Sequence, residues 1–291
     1  MAVYIRRPEW LKLGALDPAV LNRATKLTRD LKLHTVCESA RCPNRTRCFS
    51  EGTATFMILG DVCTRNCTFC AVNHGKPEAP DPQEAEHVVQ AVDRLGLRYV
   101  VVTSVTRDDL PDGGASQFAR IIRAIHEYDS SIAVEVLIPD FQGSDSALRT
   151  VIDASPAVLN HNVETVLRLY PEVRPQAKYR RSLELLKRAK LPGDRILTKS
   201  GFMLGLGESR GEVIQVMVDL RRAGCDLLTI GQYLPPSLEH HQLVRYVRPD
   251  EFEEYRVMAE KLGFVSAVSG PLVRSSFHAA EMYASATQES K

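Results

Sequence analysis

Hydrophobic and polar positions change period repeatedly along the 291 residues, and the changes mark out elements. Ala54–Leu59 is largely apolar between polar flanks, which predicts a buried strand. Over Pro82–Leu95 the apolar positions Ala85, Val88, Val89, Val92 and Leu95 fall at helical spacing, and Gly96 supplies the stop. Tyr99–Val105 is a near-continuous apolar run rich in valine, the pattern of a parallel strand covered on both faces. The alternation then repeats. Helices are expected at Ala115–Tyr128, Ser144–Ala154, Tyr179–Ala189 and Arg210–Ala223. Strands are expected at Ile132–Ile138, Ala157–Asn160, Arg195–Leu204 and Asp226–Ile230. A long polar loop precedes a helix at Asp250–Leu262 and a last apolar segment, Phe264–Val268.

Repeated strand–helix units imply a parallel sheet with right-handed crossovers. About six units follow residue 54, fewer than the eight of a closed barrel. The expected class is therefore α/β: a partial (β/α)6 TIM-type barrel over residues 54–270, with an N-terminal extension over 1–53 and a C-terminal one over 271–291. Pro18–Lys32 predicts a helix capped by Asp17, and the tail beyond Ala280 is expected to fray.

Composition adds little until the cysteines are counted. Hydrophobic residues make up 44% and charged residues 25%, which is ordinary for a globular chain. A net charge of +1 gives no reason to expect a nucleic-acid or membrane surface. The first residues hold no apolar leader, and no window approaches the roughly 18 apolar residues of a span, so a cytoplasmic protein is expected. Six of the seven cysteines, however, fall between residues 37 and 70. Clustering of that kind in a long chain points to metal rather than disulfides.

The six form two triplets. Cys63, Cys67 and Cys70 follow a C-x3-C-x2-C spacing on the loop leaving the first strand, where an α/β fold places its chemistry. Cys37, Cys42 and Cys48 follow C-x4-C-x5-C in a polar stretch with Pro43 and Asn44. Zinc knuckles usually supply four ligands, and each triplet is one short. Three thiolates can instead hold three irons of a cubane cluster and leave the fourth without cysteine. A zinc or iron–sulfur scaffold without catalytic activity stays open on spacing alone.

The first triplet, with Phe69 just before its last cysteine, resembles the signature of radical S-adenosylmethionine enzymes. With the second triplet upstream, the chain resembles the lipoyl synthase family. Further blocks support this in order: Thr103–Gly114, Asn160–Thr165, Lys199–Glu208 and Arg274–His278. The resemblance covers about residues 30 to 280 and implies a sulfurtransferase using two [4Fe–4S] clusters and S-adenosylmethionine. Cys63, Cys67 and Cys70 would hold the radical-forming cluster. Cys37, Cys42, Cys48 and Ser275 would hold an auxiliary one. The methionine moiety of S-adenosylmethionine would complete the first. Phe69, Thr103, Asn160, Asn162, Glu164 and Lys199 would contact S-adenosylmethionine.

The implied reaction inserts two sulfur atoms, at C6 and C8 of an octanoyl group on a carrier-protein lysine, with the auxiliary cluster as donor. No side chain is expected to act as acid or base. Implied partners are octanoylated carrier domains (the E2 subunits of 2-oxoacid dehydrogenases and the glycine-cleavage H protein), a ferredoxin- or flavodoxin-type reductant and an iron–sulfur carrier. An alternative is another radical enzyme whose second cluster only passes electrons or anchors substrate. Phe277 stands where the family usually has tyrosine.

Other features read more plainly. Arg107-Asp108-Asp109 is expected as a solvated turn, His240-His241 as loop rather than a metal pair, and Cys225 as a small buried hydrophobe. Gly205-Leu-Gly207-Glu208 suggests close backbone approach to a cofactor.

Overall fold

The computed structural model describes residues 6–11, 25–40, 42, 44, 48, 55–190 and 196–288. The chain divides into two compact units. One comprises residues 14–65 and 71–159, the other residues 1–13, 66–70 and 160–291. Residues 18–24 of the helix expected over Pro18–Lys32 lie outside the described residues; 25–30 are helical and Leu31 is buried.

In the first unit, strands β1 (His34–Thr35), β2 (Thr55–Ile58), β3 (Tyr99–Ser104) and β4 (Ala133–Leu137) lie side by side in that order. The first pair is antiparallel and the others are parallel. Val100, Val101 and Val102 are wholly buried, as a parallel strand covered on both faces requires. Helices α1 (Glu84–Leu95), α2 (Ala115–Tyr128) and α3 (Asp145–Ile152) are the crossovers. Each ends or begins where its local chemistry dictates. Gly96 adopts φ 60 and returns its N–H to Val92 and Asp93, closing α1. The Ser144 hydroxyl accepts the Ala147 N–H and opens α3. Leu95, expected on the buried side of α1, is exposed. Strand β5 (Val158–Asn160) follows α3.

The second unit carries parallel strands β6 (Leu197–Leu204), β7 (Leu227–Gln232) and β8 (Ser266–Gly270). Helices α4 (Tyr179–Lys190), α5 (Arg210–Arg222) and α6 (Pro249–Lys261) pack around a core that includes Phe202, Met217 and Phe252. Among the described residues, which reach 288, the tail does not fray after Ala280. It forms α7 (Ala279–Gln288), which buries Met282 and Ala286. With Ala279 these make three buried apolar side chains on one face, enough to dock a short helix that periodicity alone had not revealed.

A capping box opens α5. The Ser209 hydroxyl accepts the Glu212 N–H, and the Glu212 carboxylate accepts the Ser209 N–H. Arg168, together with Ser209, holds the Glu212 carboxyl down at about 2. The folded value lies below the unfolded one of about 4.3. The stabilisation is therefore complete above pH ~4.5 and is lost as pH falls through ~2. The pair is solvent-facing, so the effect is about 1 kcal/mol. Glu212→Gln is expected to flatten the acid limb of a circular-dichroism pH titration by that amount. An unchanged limb would refute the assignment.

Candidate cluster and cofactor site

The C-x3-C-x2-C loop begins where Val62–Cys63 pairs in parallel with Asn73–His74. Its residues up to Arg65 belong to the first unit, and Asn66 to Cys70 belong to the second. In the first unit the Cys63 Sγ accepts two backbone N–H groups, from Thr106 at 3.3 Å and Arg65 at 3.4 Å. Thr64 donates its N–H and its hydroxyl to the Thr106 carbonyl, at 3.0 and 2.9 Å. In the second unit the Thr68 N–H reaches the Val173 carbonyl at 3.1 Å. The Thr68 carbonyl accepts the His241 N–H at 2.8 Å, and His240 Nε2 donates to the Cys70 carbonyl at 3.1 Å. His240-His241 is thus loop, as expected, and it clasps the second half of the cysteine loop. Phe69 packs against the hydrophobic core of its unit.

Cys63, Cys67 and Cys70 are half-buried and not disulfide-bonded. Among the described residues no three His, Cys, Asp or Glu side chains converge as a single metal ion would need. A cubane sets a different requirement, because each thiolate meets its own iron corner.

In the upstream triplet Cys37 is buried, while Cys42 and Cys48 are half-buried. The Cys42 N–H bonds the Cys37 carbonyl at 3.0 Å, and the Cys48 N–H bonds Asn44 at 2.9 Å. Burial first, and the neighbouring Cys42 and Cys48 second, push the Cys37 thiol up to about 12. Without iron it is a neutral thiol at pH 7, and metal must displace its proton. Residues 41, 43, 45–47 and 49–54 of this stretch lie outside the described residues.

Ser275 sits half-buried in a turn that the Phe277 N–H closes on the Arg274 carbonyl at 2.9 Å. That turn follows β8, and it is approached closely by β7. A Cβ on Gly231 would lie 2.2 Å from the Val273 carbonyl oxygen.

The residues expected to contact S-adenosylmethionine divide by unit. In the first, Thr103 is buried and its hydroxyl donates to the Leu137 carbonyl at 3.0 Å, a tie between neighbouring strands. In the second, Asn160, Asn162 and Lys199 are buried, and Glu164 holds φ 62. Glu164 is fixed in that left-handed conformation by two main-chain bonds, from its N–H to Gly201 and to its carbonyl from Met203. Glu164 is half-buried, and desolvation raises the pKa of its carboxyl against the opposing pull of Arg174 and Asn162. The Asn162 Oδ1 is buried with no hydrogen-bond partner among the described residues. It lies over Gly201, where a Cβ would come within 2.4 Å of the Thr229 hydroxyl and 3.1 Å of that Oδ1. An amide acceptor left open over a glycine floor, beside a buried carboxyl, suits a polar ligand carrying amine or hydroxyl groups. The cysteine thiols and the polar groups of Asn162 and Glu164 are of the chemical kind that an iron–sulfur cluster and S-adenosylmethionine would need.

Two expectations need correction. Arg107-Asp108-Asp109 is not a solvated turn. Arg107 is 2% exposed, pairs with Asp109 and donates to the Leu59 carbonyl. Asp108 accepts both arms of Arg65. Gly205 does approach a backbone closely, but that backbone is the chain's own. A Cβ there would lie 2.6 Å from the Arg245 carbonyl, and Gly205 holds φ 101. The Glu208 carboxylate accepts the Gly205 and Leu206 N–H groups at 2.7 and 2.9 Å. Cys225 is fully buried, as expected.

Comparison with known proteins agrees with this chemistry. The model of the Radical SAM superfamily matches residues 57–232. Two solved structures share the fold at low identity. A maturase of the [FeFe]-hydrogenase, HydG, has a TM-score of 0.59 at 16% identity, covering 94% of this chain and 60% of that one. Methylornithine synthase, PylB, has a TM-score of 0.54 at 15% identity, covering 80% and 72%. The fold is thus the α/β partial barrel of that superfamily. A lipoyl synthase from Caldanaerobacter subterraneus subsp. tengcongensis is 56% identical over 275 residues, 94% of this chain and 96% of that one. One from Rubrobacter xylanophilus is 55% identical over 275 residues, 94% and 86%. A match of this extent, on a chain with both cysteine triplets in place, places the protein in the lipoyl synthase family of radical S-adenosylmethionine enzymes.

Proposed function

We propose that Cys63, Cys67 and Cys70 hold the cluster that binds S-adenosylmethionine, and that Cys37, Cys42, Cys48 and Ser275 hold the auxiliary [4Fe–4S] cluster. The observation that carries the first assignment is the pair of N–H groups aimed at the Cys63 Sγ, which supports a sulfur serving as a cluster ligand. Supporting the second is the buried Cys37, with Cys42 close by, its N–H on the Cys37 carbonyl, in a polar stretch. When bound, the cluster and S-adenosylmethionine supply a radical able to take hydrogen from an unactivated carbon.

The protein's own residues bind, orient and exclude water. The buried amide of Asn162 and the carboxyl of Glu164 face a common polar ligand, in this reading the methionine and ribose groups of S-adenosylmethionine. Asn160 ends β5, while Lys199 lies within β6, its carbonyl accepting the His161 N–H at 3.0 Å. Thr103 stiffens the sheet, and Phe69 anchors its loop in the core. None of these needs to move a proton, and the specificity lies in aim and desolvation. Cys37, Cys42, Cys48 and Ser275 would hold the cluster that would supply the sulfur inserted at C6 and C8 of an octanoyl chain on a carrier-domain lysine. The 2-oxoacid dehydrogenase E2 subunits and the glycine-cleavage H protein are the proposed carriers. A ferredoxin- or flavodoxin-type reductant and an iron–sulfur carrier complete the cycle. No helix among the described residues is long and apolar enough to cross a membrane, and we place the work in the cytoplasm.

Ser275→Ala tests the reading. The reconstituted variant is expected to cleave S-adenosylmethionine reductively while product mass on octanoylated carrier shows no sulfur gained. A hydroxyl is a harder and weaker partner for iron than thiolate, which suits a cluster that gives up its sulfide. Wild-type product yield from the variant would remove Ser275 from the ligand set.

A further inference from the structure

We infer that Arg65 is a positioning residue for the Cys63 end of the cysteine loop, acting through Asp108 and Asp140. The inference rests on the reading that Cys63, Cys67 and Cys70 hold the cluster that binds S-adenosylmethionine. An arginine between two ligand cysteines would ordinarily be solvated. Arg65 is instead 6% exposed. Its Nε donates to Asp108 Oδ2 at 2.6 Å and its Nη2 to Asp108 Oδ1 at 2.9 Å. The same Nη2 donates to Asp140 Oδ1 at 2.6 Å. Burial alone would disfavour the charge, and the two carboxylates outweigh it. The planar fork fixes direction as well as distance, which a lysine ammonium does not.

Both acids are themselves immobilised. Asp140 is completely buried on its side chain and accepts the Gln142 N–H at 3.1 Å. Asp108 gives its N–H to the Thr64 hydroxyl at 3.0 Å. Arg107 braces the same ledge from behind, through Leu59 and Asp109. Three consecutive loop residues, 63 to 65, are therefore each fastened to residues 106 to 108.

This matters because one of the two N–H groups on the Cys63 sulfur is Arg65's own. Its orientation is fixed by where the Arg65 side chain is tied. Hydrogen bonds to ligand sulfur set the reduction potential of a cluster. The guanidinium lock thus acts on the potential through the backbone, without touching iron or substrate.

The test uses anaerobically reconstituted enzyme carrying R65K, R65M or R65M/D140N. Iron content, melting temperature, cluster potential by electron paramagnetic resonance titration, and kcat and KM for reductive S-adenosylmethionine cleavage are measured. R65M is expected to lower kcat by about tenfold or more, the scale set by outer partners of metal ligands, and to shift the potential. R65M/D140N removes the buried acid that has lost its guanidinium partner, so melting returns toward wild type while the potential stays shifted. A double variant in which melting, potential and cleavage all recover together would reduce Arg65 to a stabilising ion pair and overturn the inference. R65K keeps the charge, and it decides alone if the methionine variants do not fold: wild-type potential and kcat would refute the lock. A Cys63→Ala enzyme that kept its S-adenosylmethionine-responsive resonance would instead sink the cluster assignment itself.

Discussion

Replacing Cys63, Cys67 and Cys70 together with alanine is expected to remove about half of the reconstituted iron and essentially all reductive cleavage of S-adenosylmethionine. Two clusters on separate triplets make the iron loss partial. The protein should still fold, because the three thiols are half-buried and contribute little to the core. Circular dichroism and melting should therefore stay near wild type. The remaining iron should report the auxiliary cluster alone. Cys225→Ala is the internal comparison. That thiol is fully buried, so its loss should affect melting and leave iron unchanged. Full iron retention in the triple variant would mean that the loop is not a cluster site.

Gly231→Ala is expected to separate the two halves of the reaction. At this position the backbone does not need glycine, since no left-handed φ is involved. The demand is steric. An alanine Cβ would meet the Val273 carbonyl oxygen at 2.2 Å and its carbon at 3.2 Å, both backbone atoms with no rotamer to turn. Residues 273–274 must move, and Ser275 moves with them. Overpacking of this kind costs about 1–3 kcal/mol, or several degrees in melting temperature. Cleavage of S-adenosylmethionine should persist while sulfur insertion into octanoylated carrier is lost. Gly211→Ala is the control, since nothing lies within 4 Å of its added carbon in the first turn of α5. It should melt slightly higher and insert sulfur normally. Retained insertion in Gly231→Ala would show that the 273–275 segment is not held by β7.

The strands and helices of both units were largely readable from periodicity. Ala115–Tyr128 agrees to the residue, and most others agree within two. Apolar runs such as Val100–Val102 carry their own burial signal, because only a doubly covered strand tolerates them. The cysteine triplets were readable because ligand spacing is local. What escaped was long-range pairing of charge. Arg65 looks like a surface residue until Asp108 and Asp140, 43 and 75 positions away, are known to meet it. A buried charge is legible only through its partner, and the partner is not nearby in sequence. Glycine gave a similar misreading. Gly205-x-Gly207 signals close approach, and the sequence does not say what approaches. The helix Ala279–Gln288 went unread for a third reason: its buried face is only Ala279, Met282 and Ala286, too sparse to register as a stripe.

The fastening of the cysteine loop also sets a timetable. Cys63 is bonded to a residue 43 positions away, and the Cys70 carbonyl to one 170 positions away. Closing contacts over such separations comes late, after the intervening chain has paid its ordering entropy. The loop therefore reaches its final shape only once the segment carrying His240 and His241 has been made and folded. During synthesis the nascent chain exposes all six clustered thiols long before that. Maturation is in this sense a problem of sequence in time: iron delivered early meets a flexible polythiol, and iron delivered late meets a prepared loop.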